Sequence, residues 1–130
     1  MPAPDPVQEP RGGELNAAIS NAVVALLSEY TGRGPTKAQT TIRNNVVVVL
    51  MHDTLTKGER ALVSRGRGAK VLDLRHEFQT AMQEDAIDVI ARLTGRKVLA
   101  FMSANHIDPD LAAEMFVLDG RADVDAVLQP

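Results

Sequence analysis

The residues best suited to chemistry lie in the stretch TGRGPTKAQT, residues 31–40, which combines two glycines with basic side chains. No acid lies among Arg33, Lys37 and Arg43. Glycine loosens the backbone, so that successive N–H groups can form a concavity that binds an anion. Two interpretations stay open: a site for an anion or an acidic partner, and a loop that ends a helix and carries solvated charges. The candidate site residues are Gly32, Arg33, Gly34, Pro35, Lys37 and Arg43.

The same stretch does not match a known nucleotide-binding motif. A P-loop requires G-x-x-x-x-G-K-[ST] after a strand and before a helix, because the helix N-terminus must face the phosphate. Here Gly32 and Gly34 follow a helical pattern, and Lys37 precedes a run of valines. The Rossmann spacing is absent as well. The stretch therefore predicts at most a simple anion or partner site.

Other groups that could act in catalysis lack the required spacing. His106, Asp108 and Asp110 in NHIDPD could hold a metal, but Asn, Asp and Pro in this arrangement are typical of a turn. No serine lies in a G-x-S-x-G elbow. The acids of residues 84–88 lie opposite the apolar stripe of a helical pattern, where a solvated acidic face is expected. We therefore predict that the protein is not an enzyme and that it binds neither a metal ion nor a cofactor.

Length and composition indicate a single domain. A chain of 130 residues with 45% hydrophobic residues can bury a sizeable core, and the lack of cysteines suits a reducing compartment. We predict a disordered N-terminal lead at residues 1–12, one domain at residues 13–119 and a flexible tail at residues 120–130. The apolar runs are too short to span a membrane, for which about 20 residues are needed. The predicted location is the cytoplasm.

The charge is distributed unevenly along the chain. The net charge is −3, yet residues 31–75 hold nine Lys or Arg against three acids. Such asymmetry favours an acidic partner, an anionic ligand or self-association. Few aromatic residues and no helix-turn-helix pattern argue against specific nucleic-acid binding.

Periodicity predicts helices at residues 14–31 and 69–94, each followed by a glycine that can end it. Thr56 and Glu59 have the spacing of a capping box and predict that a short helix starts there, between the two long helices. Strands are predicted at residues 46–51, 98–102 and 115–118, and the short connection between the last two favours antiparallel pairing. The predicted fold is α+β: a small three-stranded sheet packed by an N-terminal helix and one long helix, in the order α-β-α-α-β-β.

The predicted strands are continuously apolar and do not alternate with polar residues. A sheet with one solvated face would alternate, so both faces of this sheet should be covered. Two long helices can cover only one face. We therefore expect another copy of the chain or a different protein on the second face, with a homodimer favoured.

Four segments together resemble the MpsC-like family of small bacterial proteins, long carried as a domain of unknown function: YTGRGPTKA, LTKGE, TGRKVLAFMS and NHIDPD. The similarity extends over about residues 13–119. The family is named for a bacterial Na⁺-translocating, membrane-potential-generating system. The resemblance implies a soluble accessory role beside the soluble or membrane subunits of that system, at the inner face of the membrane through its partners.

The favoured hypothesis is a non-catalytic interaction protein that self-associates and presents its basic central segment to an acidic partner. The alternative is a regulatory module that binds a small anion or phosphate compound at the GRGPTK loop.

Overall fold

The computed structural model describes the backbone of residues 8–122 and the side chains of residues 13–122. The elements in chain order are α1 (Gln8–Thr31), β1 (Lys37–Arg43), β2 (Val46–His52), α2 (Lys57–Ser64), α3 (Gly68–Thr94), β3 (Val98–His106) and β4 (Leu111–Leu118). Residues 1–7 of the predicted lead and 123–130 of the predicted tail lie outside the described residues. The helix α1 begins at Gln8, earlier than predicted.

The strands form one antiparallel sheet of four strands in the order β1-β2-β4-β3. The predicted α+β class and the antiparallel pairing of the last two strands are confirmed. The predicted three strands and the order α-β-α-α-β-β are wrong, because β1 was not predicted. The observed order is α-β-β-α-α-β-β.

The strand β1 was missed because it is a polar edge strand. Its sequence KAQTTIR has apolar side chains only at Ala38 and Ile42, which face the core side. It joins β2 through a tight turn in which Asn44 has a φ of 55°, a conformation that asparagine tolerates better than most residues. The hydroxyls of Ser20 on α1 and Thr40 on β1 lie 2.6 Å apart and fix this strand under the helix.

The two long helices lie on one face of the sheet and form the core with it. The helix α1 ends at Thr31 and α3 at Thr94, and each is followed, as the sequence predicted, by a glycine in the left-handed region: Gly32 with a φ of 82° and Gly95 with a φ of 68°. The capping box of α2 is also confirmed: Thr56 Oγ1 accepts from the Glu59 N–H, and the Glu59 carboxylate accepts from the Thr56 N–H. The buried core residues are Leu15, Ile19, Val23 and Leu27 on α1, Met82, Ala86 and Ile90 on α3, and Val47, Val49, Met51, Ala112, Phe116 and Leu118 on the sheet.

Candidate functional site

The GRGPTK loop connects α1 to β1, and its arginine makes contacts within the molecule. The Arg33 guanidinium donates to the Leu55 carbonyl at 2.9 Å and to Asp53 Oδ2 at 3.1 Å, and it also donates to the Asp53 carbonyl. Gly34 lies close to α1, where a Cβ would be 3.6 Å from Val24 Cγ1. The loop therefore ties the end of α1 to the segment between β2 and α2.

The other two basic residues of the predicted site lie far from each other. Lys37 begins β1 and Arg43 ends it, and both are exposed. A strand rises about 3.4 Å per residue, so their Cα atoms are roughly 20 Å apart. The structure thus places Gly32, Arg33, Gly34 and Pro35 in one loop and does not bring Lys37 and Arg43 together in the same concavity.

The NHIDPD segment, residues 105–110, forms the last two residues of β3 and the turn to β4, and its composition predicted the turn. Asp110 Oδ1 accepts from the Thr54 N–H and hydroxyl, each at 3.1 Å, and Asp110 Oδ2 accepts from the Leu55 N–H at 3.0 Å. His106 Nδ1 lies 2.8 Å from the Pro109 carbonyl oxygen. Among the described residues no group of His, Asp and Glu is arranged to hold a metal ion.

One face of the sheet is left uncovered by the described residues. Side chains alternate along each strand, so the strand registers define which residues share this face. We call it the open face. Its apolar residues are Val46, Val48 and Leu50 on β2, Leu111, Ala113, Met115 and Val117 on β4, and Ala100, Met102 and Ala104 on β3.

The open face is unusual for a surface because it carries no acid. Its edge at β1 consists of Lys37, Gln39, Thr41 and Arg43, and its end carries His52 and His106. Met102 is 50% exposed although it is a large apolar side chain. The apolar centre therefore has a basic edge on one side and no charge on the other.

A buried ion pair lies between the helices α2 and α3. Arg75 donates to both carboxylate oxygens of Glu59, at 2.6 and 2.9 Å, and also to the Thr54 carbonyl. Only 1% of Arg75 and 3% of Glu59 are exposed. Burial alone would raise the pKa of Glu59, but the hydrogen bonds from Arg75 and from the Thr56 backbone outweigh it and lower that pKa.

A second buried acid, Glu114, lies on the core side of β4 and forms no ion pair with any of the described residues. It is 3% exposed, and Gln79 Nε2 lies 3.4 Å from Glu114 Oε2, which makes a long hydrogen bond. Burial raises the pKa of the Glu114 carboxyl to about 8, and the Gln79 hydrogen bond and the Arg75 charge oppose this only in part. Glu114 is therefore mostly protonated at neutral pH.

Beside Glu114 a cleft of about 250 Å³ opens between α3 and β3. We call it the α3–β3 cleft. It is lined by His76, Gln79, Thr80 and Gln83 on α3 and by Phe101, Met102 and Ser103 on β3. Gln79 contacts Glu114 directly, and Glu114 is paired with Ser103 across the β3–β4 ladder. The carboxyl thus lies behind the inner wall of the cleft.

The sequence did not single out Arg75 or Glu114 as candidate residues. Glu114 had a detectable signal, since it is the one acid in the apolar strand LAAEMFVL. Arg75 had a weaker signal: it falls in line with the buried residues Val71, Gln79 and Met82 on α3. Their partners could not be predicted, because they lie on elements that are distant in the chain.

A comparison with protein families confirms the family resemblance of the four sequence segments quoted above. The family model described as the Na⁺-translocating membrane potential-generating system (MpsC) matches residues 11–120. No curated protein and no solved structure matches the chain. Within residues 8–122 no helix combines the length and apolar content needed to cross a membrane. Because the match covers most of the sequence, this chain belongs to the MpsC family.

Proposed function

We propose that this protein is a non-catalytic interaction subunit that forms a homodimer through the open face and serves a Na⁺-translocating, membrane-potential-generating assembly in the cytoplasm. The open face is the observation that carries the proposal. The family description supplies the expected assembly.

The size of the open face supports an interface. Four strands spaced about 4.8 Å apart, with about seven residues each, give a face of roughly 400 Å² before the flanking side chains are added. This area includes the polar edge at β1, and the largest apolar patch of a soluble protein, typically about 300–600 Å², often marks a functional surface. A standard interface buries about 800 Å² of accessible surface on each partner, so the side chains that flank the face must contribute as well.

A second copy fits this face for a geometric reason. Two identical sheets have the same twist and can pack face to face at about −30°, with their side chains interdigitating. If the two-fold axis runs parallel to the strands, β2 of one copy lies over β4 of the other. Val48 then faces Met115 of the partner subunit in an apolar centre.

Charge selects this arrangement over the alternative. With the axis perpendicular to the strands, β1 would lie over β1, and the Lys37 and Arg43 side chains of the two copies would repel each other. With the axis parallel, β1 lies over β3 of the partner, whose outward residues Ala100, Met102 and Ala104 carry no charge. The basic edges then lie on opposite sides of the dimer.

The basic edges give the dimer a second surface for an acidic partner. Lys37 and Arg43 are exposed at the rim of the open face and have no acid near them on that face. Arg33, by contrast, is engaged with Asp53 and Leu55. This favours the interaction role over the alternative of an anion site in the GRGPTK loop, since the loop arginine already has acceptors.

Two measurements test the proposal. Sedimentation equilibrium should give twice the mass of 14.0 kDa at micromolar protein, and a mass of one chain at every concentration would overturn the dimer. Exchanging both Lys37 and Arg43 for Glu should leave the dimer intact and remove co-purification with membrane subunits from the native cells. If the variant still co-purifies like the original chain, the basic edge is not the partner surface.

A further inference from the structure

The α3–β3 cleft and Glu114 together have the features of a ligand site. A carboxyl in the core of a strand is costly unless it is paired, and an apolar residue would fill the position between Ala112 and Phe116. The charged groups that face it are few. On α3 these are Arg75 and the exposed His76, and Arg75 is itself paired with Glu59 on α2. The strands β2 and β3 contribute no charged side chain to this side of the sheet.

Arg75 does not serve as the counter-ion of Glu114. Its guanidinium donates to both oxygens of Glu59 and to the Thr54 carbonyl. Glu59 and Arg75 are therefore neutral as a pair. Ionised Glu114 would leave this buried cluster with one uncompensated negative charge, which a bound cation could balance.

The cleft next to this charge offers groups that suit an organic cation. Gln79 and Gln83 provide amide oxygens, and Thr80 and Ser103 provide hydroxyls. The Phe101 ring lines the same cleft, and an aromatic ring attracts a cation through its face. A volume of about 250 Å³ accommodates a ligand of several heavy atoms.

We propose that the α3–β3 cleft binds a small organic cation of the primary ammonium class, with Glu114 as its counter-ion. Binding exchanges a proton for the ligand: the neutral carboxyl releases its proton to the solvent, and the ammonium N–H groups donate to the resulting carboxylate. The Gln79 side chain, which separates Glu114 from the cleft, turns aside or accepts a hydrogen bond from the ammonium group through its amide oxygen.

Calorimetric titration with n-butylammonium chloride tests the proposal. At about pH 7 the heat should vary with the ionisation enthalpy of the buffer and indicate release of close to one proton per ligand. At about pH 9 the carboxyl is already ionised, while an alkylammonium stays charged because its pKa is near that of lysine. Affinity should then rise by about tenfold, since the competent form is no longer the minor one.

Three comparisons decide the outcome. Glu114→Gln should weaken binding by at least about tenfold and abolish proton release, whereas Glu84→Gln, which removes an exposed acid from α3, should change neither. Thr80→Trp should fill the cleft from the solvent side without altering the core, and it should therefore weaken binding as well. The proposal is overturned if butylammonium produces no heat, if Glu114→Gln binds like the original chain, or if sodium chloride alone releases the same proton.

Discussion

Arg75 on α3 and Glu59 on α2 form a bidentate ion pair in which Nη2 lies 2.6 Å from Oε1 and Nε lies 2.9 Å from Oε2. The pair is buried and is also bonded to the segment that follows β2, through the Thr54 carbonyl. It therefore fixes the short helix α2 against the long helix.

Removing one partner of this pair should be strongly destabilising. Arg75→Met leaves the Glu59 carboxylate buried without its cation, and we expect a loss of about 3–5 kcal/mol in the free energy of unfolding. Urea denaturation measures this change. The matched control is Arg92→Met, an exposed arginine on the same helix, for which the expected change is within about 0.5 kcal/mol. Equal effects of the two substitutions would contradict the structural role of the pair.

The open face should lose its self-association when a charge is placed at its centre. Met115→Glu would bury a carboxylate opposite Val48 of the partner subunit, so we expect a monomer by sedimentation with an unchanged circular dichroism spectrum. Leu72→Glu is the control, because Leu72 is 41% exposed on α3, away from the sheet. A dimer that survives Met115→Glu but dissociates on Leu72→Glu would place the interface on the helices.

The orientation of the two copies can be tested by cross-linking, because the chain contains no cysteine. Thr41→Cys labels β1 and Met102→Cys labels β3 on the open face. In the proposed dimer a mixture of the two variants should react with a short bis-maleimide to give a mixed dimer. Efficient cross-linking of Thr41→Cys with itself would instead support the arrangement with β1 over β1.

Glu114 should make the stability depend on pH in a defined direction. Its folded pKa of about 8 lies above its ordinary value of 4.5, so its contribution to stability is fully present below about pH 4.5 and is lost as the pH rises through 8. Glu114→Gln should therefore be roughly 2–4 kcal/mol more stable than the original chain at about pH 9, and similar to it at about pH 5. Denaturation at one fixed protein concentration measures both. An equal difference at the two pH values would show that Glu114 does not titrate in this range.

Tyr30 should titrate at higher pH than an ordinary tyrosine. Its hydroxyl donates to Asp85 Oδ2 at 2.8 Å, and this hydrogen bond, with burial and the Asp85 charge, raises the pKa of Tyr30. The chain has one tyrosine and no tryptophan, so absorbance at alkaline pH reports this group alone. Asp85→Asn should move the pKa back towards about 10, and Asp88→Asn should leave it unchanged. A titration insensitive to Asp85→Asn would exclude the contact between α1 and α3.

The sequence predicted those elements whose residues repeat with a clear period. The stripe through Ile19 and Val23 and the stripe through Met82 and Ile90 predicted both long helices, because a buried helix face repeats every three to four residues. The uninterrupted valines of β2 predicted a sheet that needs covering on both sides, and the structure shows the outer side open within residues 8–122.

Features that depend on contacts between distant elements were not predicted. The strand β1 lacks an apolar run because it lies at the edge of the sheet, although the Asn-Asn turn before β2 was a usable signal. The environment of Glu114 on β4 depends on Gln79 and Arg75 on α3, and no local sequence pattern shows that these residues lie close together in the fold. Arg33 looked like a ligand residue because the sequence does not show that Asp53 and Leu55 accept its hydrogen bonds.

Within the part of the chain that the structure describes, the strand order β1-β2-β4-β3 leaves two free edges, at β1 and at β3, and both resist further strand addition. Lys37 and Arg43 place charge at the two ends of the β1 edge, and a register shift between Val98 and Ala100 distorts the other. Neither edge of the sheet therefore favours open-ended addition of strands from other copies. In the proposed dimer, assembly stops once the open face is occupied, and the subunit remains a discrete component instead of a filament.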